Sequence, residues 1–138
     1  MKKIIFSCAV FVMIVTITYA QTTPDAVAKA FQKKFPDVKD AKWKKENAHE
    51  YEASFTSKGQ HLSANFNDKG DWLETESPMA GSSLPQKVKD AFQKAYPGIA
   101  MKEVYKIEKP GNIIHYEIEY KKGTKTSEAI FDADGKKV

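Results

Sequence analysis

The chain contains no arginine, and its one cysteine is Cys8. Arginine forms the two-pronged hydrogen bonds with which many proteins bind phosphate and guanine, so its absence argues against a nucleic-acid partner. A single cysteine cannot form an internal disulfide, and the folded state must therefore depend on a packed core. The 22 lysines are interspersed with 18 acidic residues. This pattern is typical of a solvated surface.

One long hydrophobic run is present, and it lies at the N terminus. Lys2 and Lys3 precede an apolar stretch over residues 4–17, and small residues follow at Thr18 and Ala20. This pattern predicts a secretory signal peptide over 1–20, cleaved after Ala20. A membrane anchor is disfavoured because a spanning helix needs about 20 apolar residues. We therefore expect a periplasmic or secreted protein that meets the membrane only through its signal. Cleavage would remove Lys2 and Lys3, so 20 of the 22 lysines would remain against 18 acidic residues, a formal net charge of +2.

The rest of the chain carries an internal repeat. Three segments recur in the same order: AFQKKFP (30–36) as AFQKAYP (91–97), YEASF (51–55) as YEIEY (116–120), and FNDKG (66–70) as FDADG (131–135). The first pair is offset by 61 positions and the other two by 65. Fixed order with matched spacing indicates duplication. It predicts one unit over 21–76, a linker over 77–83 and a second unit over 84–138.

Each unit changes its hydrophobic period from helix to strand. Val27, Phe31 and Phe35 follow a helical spacing, as do Val88 and Phe92. Alternating residues then predict four strands per unit, closed by glycine turns. The predicted strands are 38–45, 49–57, 60–67 and 71–76, then 100–109, 113–122, 125–132 and 136–138. The expected fold class is α+β: two tandem repeats, each a helix with a four-stranded antiparallel meander, with the helices packed on one face of the sheet.

These motifs resemble the PepSY-like, beta-lactamase-inhibitor-like family of secreted bacterial proteins. The resemblance covers the whole mature chain. In the first unit it rests on Phe31, Phe35, Pro36, Trp43, Tyr51, Glu52, Phe55, Phe66, Gly70, Trp72, Glu74 and Glu76. In the second it rests on Pro85, Tyr96, Pro97, Tyr116, Glu117, Phe131, Asp132, Asp134 and Gly135. Asn67 stands where the second unit has Asp132, a difference that should leave the turn intact. The resemblance implies a non-catalytic binding or inhibitory module.

The residues themselves predict neither an enzyme nor a metal site. His49, His61 and His115 are not in a recognised nucleophile context, and spacing along the strands separates the first two by about 23 Å. The segment DADGKK departs from a calcium loop because its glycine directly follows the second aspartate. We therefore predict no catalytic residue, no metal and no cofactor.

The segment WLETE is the candidate binding surface. Strand alternation would put Trp72, Glu74 and Glu76 on one face, where an aromatic ring beside two carboxylates could bind a basic or peptide partner. The competing interpretation is a tryptophan at the edge of the core with two solvated acids.

Two functions fit these observations, and a less favoured third is an enzyme with an unrecognised site, which requires a histidine, a carboxylate and a hydroxyl in one cleft. The first is a non-enzymatic binding module for a protein or peptide in the cell envelope, one that inhibits or regulates a secreted hydrolase or peptidase. The alternative is a carrier for a small ligand or peptide at the surface between the two repeats, which requires an apolar pocket there.

Overall fold

The computed structural model describes residues 23–138. The predicted signal peptide over 1–20 lies outside these residues. Within the described part of the chain, neither helix is long and apolar enough to cross a membrane.

Two helices of equal length each precede a set of strands. Helix α1 spans Asp25–Lys34 and helix α2 spans Gln86–Ala95. Each directly follows a proline, whose missing N–H costs nothing at a helix start. Each also stops just before a second proline, since the residue preceding proline disfavours helical geometry.

Seven antiparallel strands form one continuous sheet in the order of the chain. They are β1 (Ala41–Asn47), β2 (Glu50–Ser57), β3 (Gln60–Asn67), β4 (Trp72–Pro78), β5 (Met101–Lys109), β6 (Ile113–Lys122) and β7 (Lys125–Asp132). The prediction of a fourth strand at 136–138 is wrong, because these residues pair with the sheet at a single position, Phe131 with Lys137. Strand β4 also runs two residues into the predicted linker, and Ser77 and Pro78 pair with β5.

The turns that follow β3 and β7 are built alike. The side-chain oxygen Oδ1 of Asn67 accepts hydrogen bonds from the backbone N–H groups of Lys69 (3.0 Å) and Asp71 (2.9 Å). Oδ1 of Asp132 accepts the equivalent bonds from Asp134 (3.0 Å) and Lys136 (2.9 Å). Asparagine and aspartate therefore hold the same turn, since both present an acceptor oxygen at this position.

The core consists of two clusters, one under each helix. In the first, Val27 and Phe31 of α1 pack with Phe55 of β2 and Phe66 of β3. In the second, Val88 and Phe92 of α2 pack with Ile118 of β6 and Phe131 of β7. We call the sheet surface that carries these residues the core face.

The opposite surface of the sheet receives no residue from either helix. Its residues alternate with those of the core face along each strand, and we call it the open face. Its residues include Glu52, Ser54, Ser63, Asn65, Glu74, Glu76, Tyr105, Ile107, Glu117, Glu119, Glu128 and Ile130. Lys42 and Lys44 of β1 lie on the same face, opposite Ser54 and Glu52. Since β4 pairs with β5, this surface is continuous across both halves of the chain.

Candidate functional site

The predicted site residues Trp72, Glu74 and Glu76 do not share a face of the sheet. Trp72 pairs with Phe66, whereas Glu74 pairs with Asn65, so β4 has one residue more than β3 at this point. One extra residue in a strand reverses the faces of all residues beyond it. The prediction of a shared face is therefore wrong: Trp72 lies on the core face, and Glu74 and Glu76 lie on the open face.

Trp72 is held by three contacts on the core face. Its ring packs against the first core cluster. Its Nε1–H donates to Oγ1 of buried Thr75 at 2.9 Å. The Nζ atom of Lys34 lies 3.3 Å from the ring centroid, within the range of a cation–π interaction. Strand β4 and helix α1 therefore both depend on this side chain.

We expect Trp72→Ala to lower the free energy of unfolding by about 2 kcal/mol, because it removes half-buried aromatic surface and leaves Thr75 without its donor. Trp72→Phe keeps the ring and should lose about 1 kcal/mol. Urea unfolding followed by circular dichroism measures both. An unchanged unfolding midpoint for Trp72→Ala, with loss of partner capture, would instead assign Trp72 to a binding surface.

Glu74 and Glu76 differ in their partners on the open face. Glu74 forms an ion pair with Lys109, with 3.1 Å between Oε2 and Nζ. Glu76 accepts a hydrogen bond from Oγ of Ser63 at 3.3 Å. Burial of Glu76 raises its pKa, and the neighbouring charge of Glu74 adds to this effect. Glu76 is thus a carboxylate that lacks a cationic partner among the described residues.

Three more carboxylates converge beside Glu76. Glu117 and Glu119 project from β6 and Glu128 from β7, and one carboxylate oxygen of each lies within 4.8 Å of those of the other two. They line a concavity of about 290 Å³, together with Glu52 and Glu76. The open face thus has a strongly negative centre.

Glu117 is the most buried member of this acidic cluster, with 9 % of its surface exposed. Burial, followed by the charges of Glu76 and Glu128, raises its pKa to about 7. Its side chain forms no hydrogen bond or ion pair with any residue in 23–138. A buried anion without a partner is unfavourable, so this position costs stability.

The neighbours of the cluster on β5 are Lys102, Glu103 and Tyr105. Lys102 is shared, with Nζ at 3.2 Å from Glu119 and 3.4 Å from Glu103. Tyr105 pairs with Glu117 across the strands and donates its hydroxyl to Glu103 at 2.5 Å. This bond raises the pKa of the tyrosine. The described cations near the cluster therefore engage Glu119 and leave Glu117 unpaired.

The histidines are dispersed along the sheet. His49 contacts Asp68, with 2.9 Å between Nδ1 and Oδ2. His61 lies at the rim of the acidic concavity, and His115 pairs with Ile107 and Asp132. His61 also borders a larger concavity of about 540 Å³ beside β1, which is lined by side chains of both charges.

Part of the acidic cluster could be predicted from the sequence. The alternation in YEIEY assigns Glu117 and Glu119 to one wet strand face. It does not reveal Glu76 and Glu128, because their proximity depends on the pairing of β4 with β5 and of β6 with β7. A surplus of glutamates on alternate strand positions is the signal that could have identified this face.

Comparison with solved structures finds the same fold in proteins of the genus Bacteroides. A BLIP-like protein from Bacteroides fragilis NCTC 9343 is 23% identical with a TM-score of 0.66, and the match covers 86% of each chain. A DUF2874 family protein from Bacteroides ovatus ATCC 8483 is 22% identical with a TM-score of 0.68 and 83% coverage of each chain.

A third structure has the same fold. It is described as one of the "putative periplasmic proteins" from Bacteroides eggerthii DSM 20697. It is 19% identical with a TM-score of 0.72, and the match covers 85% of this chain and 86% of that one. Because all three structures are less than 25% identical to this chain, the similarity shows a shared fold alone.

Comparison with the curated proteins finds no match. The family model described as "Putative beta-lactamase-inhibitor-like, PepSY-like" matches residues 49–136. This segment contains strands β2 to β7 and helix α2. The chain belongs to the PepSY-like, beta-lactamase-inhibitor-like family.

Proposed function

We propose that the protein is a non-enzymatic binding module of the cell envelope that captures a protein partner on the open face of its sheet. The observation that carries this proposal is Glu117, a buried carboxylate without a partner at the centre of that face. Groups that cost stability are retained where they serve function. The BLIP-like fold of the relative from Bacteroides fragilis is consistent with a protein partner.

Binding fits this face better than catalysis does. His61, Ser54 and Ser63 border the same concavity, so a nucleophile and a base lie in one region. However, Ser54 donates to Glu52 at 3.1 Å and Ser63 donates to Glu76. His61 forms no side-chain hydrogen bond within the described residues, and no serine–histidine pair is present there. Nucleophilic catalysis depends on such a pair.

The carrier alternative gains less support. A concavity of about 410 Å³ does lie where the two halves meet, beside Trp72 and Ile114. Its other side chains include Lys34, Glu108 and Lys109, and small-ligand sites are mostly apolar. We therefore favour a protein partner, and we infer that capture inhibits or regulates a secreted hydrolase or peptidase.

We also infer that the chain arose by tandem duplication, with units over 21–76 and 84–138 joined at 77–83. Gly70 approaches Ala26 of α1, and Gly135 approaches Lys87 of α2. The helix residues of these two contacts differ by 61 positions and the glycines by 65. These are the offsets of the sequence repeat, which supports a common origin of the two units.

Capture from envelope extract tests the proposed function. We expect the wild-type mature protein to recover a specific partner, and Glu76→Lys with Glu128→Lys to reduce recovery at least tenfold, since both changes reverse charge on the open face. The matched control is Asp90→Lys with Glu108→Lys, two exposed acids away from this face. Equal recovery by wild type and the open-face variant would overturn the proposal. Mass spectrometry identifies the partner, and an activity assay then tests inhibition.

A further inference from the structure

We propose that the concavity at Glu117, Glu119 and Glu128 binds a lysine or arginine side chain of the protein partner. This inference rests on the proposed function and specifies the chemistry of the group that the open face recognises. It follows from the convergence of the three carboxylates, from the unpaired state of Glu117 and from the ring of Tyr105 at the same concavity.

The geometry provides acceptors for a single cationic group. One oxygen from each of the three carboxylates lies within 4.8 Å of the other two. A guanidinium presents five N–H donors in a plane and an ammonium presents three, so either group can bond to two or three of these oxygens at once. Glu52 and Glu76, which line the same concavity, contribute further negative charge.

Glu117 is the second, independent indication of a ligand. Glu117 is 9 % exposed, and its side chain has no hydrogen-bond or ion-pair partner among residues 23–138. Every fully buried side-chain oxygen among residues 23–138 has a hydrogen-bond partner. Because the carboxylate of Glu117 has none, it must keep some contact with solvent, and Glu117 does line the concavity. A buried anion that faces an accessible space is stabilised when a cation enters that space.

The concavity can also accommodate the stem of a long cationic side chain. Leu62 and Tyr105 line the concavity and can contact the methylene stem. The ring of Tyr105 lies opposite Glu117 and offers an aromatic surface to a cation. The concavity of about 290 Å³ has room for the end of such a side chain.

Lys102 is a precedent for this chemistry within the chain. Its Nζ atom lies 3.2 Å from Glu119, at one side of the cluster. The side chains of Lys102 and Glu119 are 45% and 19% exposed, so this pair leaves the deeper carboxylate of Glu117 without a cation. A side chain from a partner would complete the neutralisation.

Nuclear magnetic resonance titration tests the inference. The ¹⁵N-labelled mature protein is titrated at pH 8 with acetylated, amidated pentapeptides that carry one central arginine, lysine or glutamate between glycines. We expect the arginine and lysine peptides to shift the amide signals of Glu117, Glu119 and Glu128, and the glutamate peptide to leave them unchanged. Glu117→Gln should weaken binding of the arginine peptide at least fivefold. Glu108→Gln, an exposed acid on the core face of β5, should not.

Three outcomes would overturn the inference. They are shifts spread over all acidic residues, equal affinity in Glu117→Gln, and saturation of the cluster by calcium chloride with no response to either cationic peptide. The last result would assign a divalent-cation site. If the open-face variant loses partner capture but neither cationic peptide binds, only the proposal of a cationic anchor is rejected. If the cationic peptides bind but wild type and the open-face variant capture the partner equally well, the proposed function is rejected instead.

Discussion

Replacement of Glu117 by glutamine is expected to stabilise the protein above pH 7. The folded protein raises the pKa of this carboxyl to about 7, mainly through burial and then through neighbouring carboxylates. In the unfolded chain the pKa of this carboxyl returns to about 4.3. The folded state therefore binds the proton more tightly, and ionisation of Glu117 opposes folding.

The effect has a defined pH window. Below about pH 4 the carboxyl is protonated in both states, and Glu117→Gln should leave stability nearly unchanged. As pH rises toward 7 the wild type loses stability, and above pH 7 the whole difference is present. We expect a gain of about 2 kcal/mol at pH 8, which is less than full linkage would give because solvent in the concavity screens the charge. This corresponds to roughly 8 °C in melting temperature. Glutamine is nearly isosteric, and Glu117 has no hydrogen bond among the described residues to lose.

The charged and titratable groups around Glu117 come from several strands. They are Glu52, His61, Glu74, Glu76, Lys102, Glu103, Tyr105, Glu119 and Glu128. Most are acidic, which is why the pKa moves upward. Glu108→Gln is the control, because this exposed acid on β5 pairs with Lys106 and should change stability by less than about 0.5 kcal/mol. Equal melting curves for wild type and Glu117→Gln at pH 8 would contradict this interpretation.

Gly70→Ala and Gly135→Ala are expected to destabilise the protein by about 3 kcal/mol each. Both glycines have positive φ angles, 89° and 82°, which disfavour a side chain. A Cβ atom at Gly70 would lie 2.7 Å from the carbonyl oxygen of Ala26, and one at Gly135 would lie 2.5 Å from that of Lys87. The turn would have to move away from its helix, which loosens the core beneath it.

Two other glycines serve as controls, because alanine there would strain the backbone without contacting a helix. Gly59 and Gly123 have positive φ angles of 78° and 64°, and an added Cβ would meet nothing within 4 Å. Their alanine variants should lose only about 1 kcal/mol from the backbone conformation. Chemical denaturation of all four variants provides the comparison. Similar losses at all four positions would mean that the contact between turn and helix contributes nothing.

The local elements could be predicted from the sequence because local chemistry determines them. The prolines before and after each helix, and the spacing of Val27, Phe31, Val88 and Phe92, correspond to α1 and α2 within one or two residues. Period-two alternation and turn glycines predicted eight strands, of which seven lie near their observed positions and the eighth, at 136–138, does not form. A mixed helix-and-strand fold with an antiparallel sheet is thereby confirmed.

The site was harder to predict because it depends on strand pairing. The bulge after Trp72 leaves no signature in WLETE, since alternation assumes a regular strand. The bulge puts Trp72 against the core and leaves Glu76 on the open face. The acidic cluster then forms because β4, β6 and β7 belong to one sheet. Glu76 and Glu128 are far apart in sequence, and only the sheet order brings them together.

The two faces of the sheet have opposite consequences for stability. The core face buries aromatic and aliphatic side chains such as Phe66, Phe92 and Ile118. The open face gathers carboxylates whose mutual repulsion opposes folding. A surface that is unfavourable in the free protein becomes favourable when a cationic partner covers it. The proposed function depends on this exchange of stability for recognition.

The most direct test is the affinity of Glu117→Gln for the partner that the wild-type protein captures. Isothermal titration calorimetry at pH 8 measures both proteins under conditions in which Glu117 is mostly ionised. We expect a variant that melts at a higher temperature and binds at least tenfold more weakly. A variant with equal or higher affinity would contradict this expectation, because the buried carboxylate would then have no part in recognition.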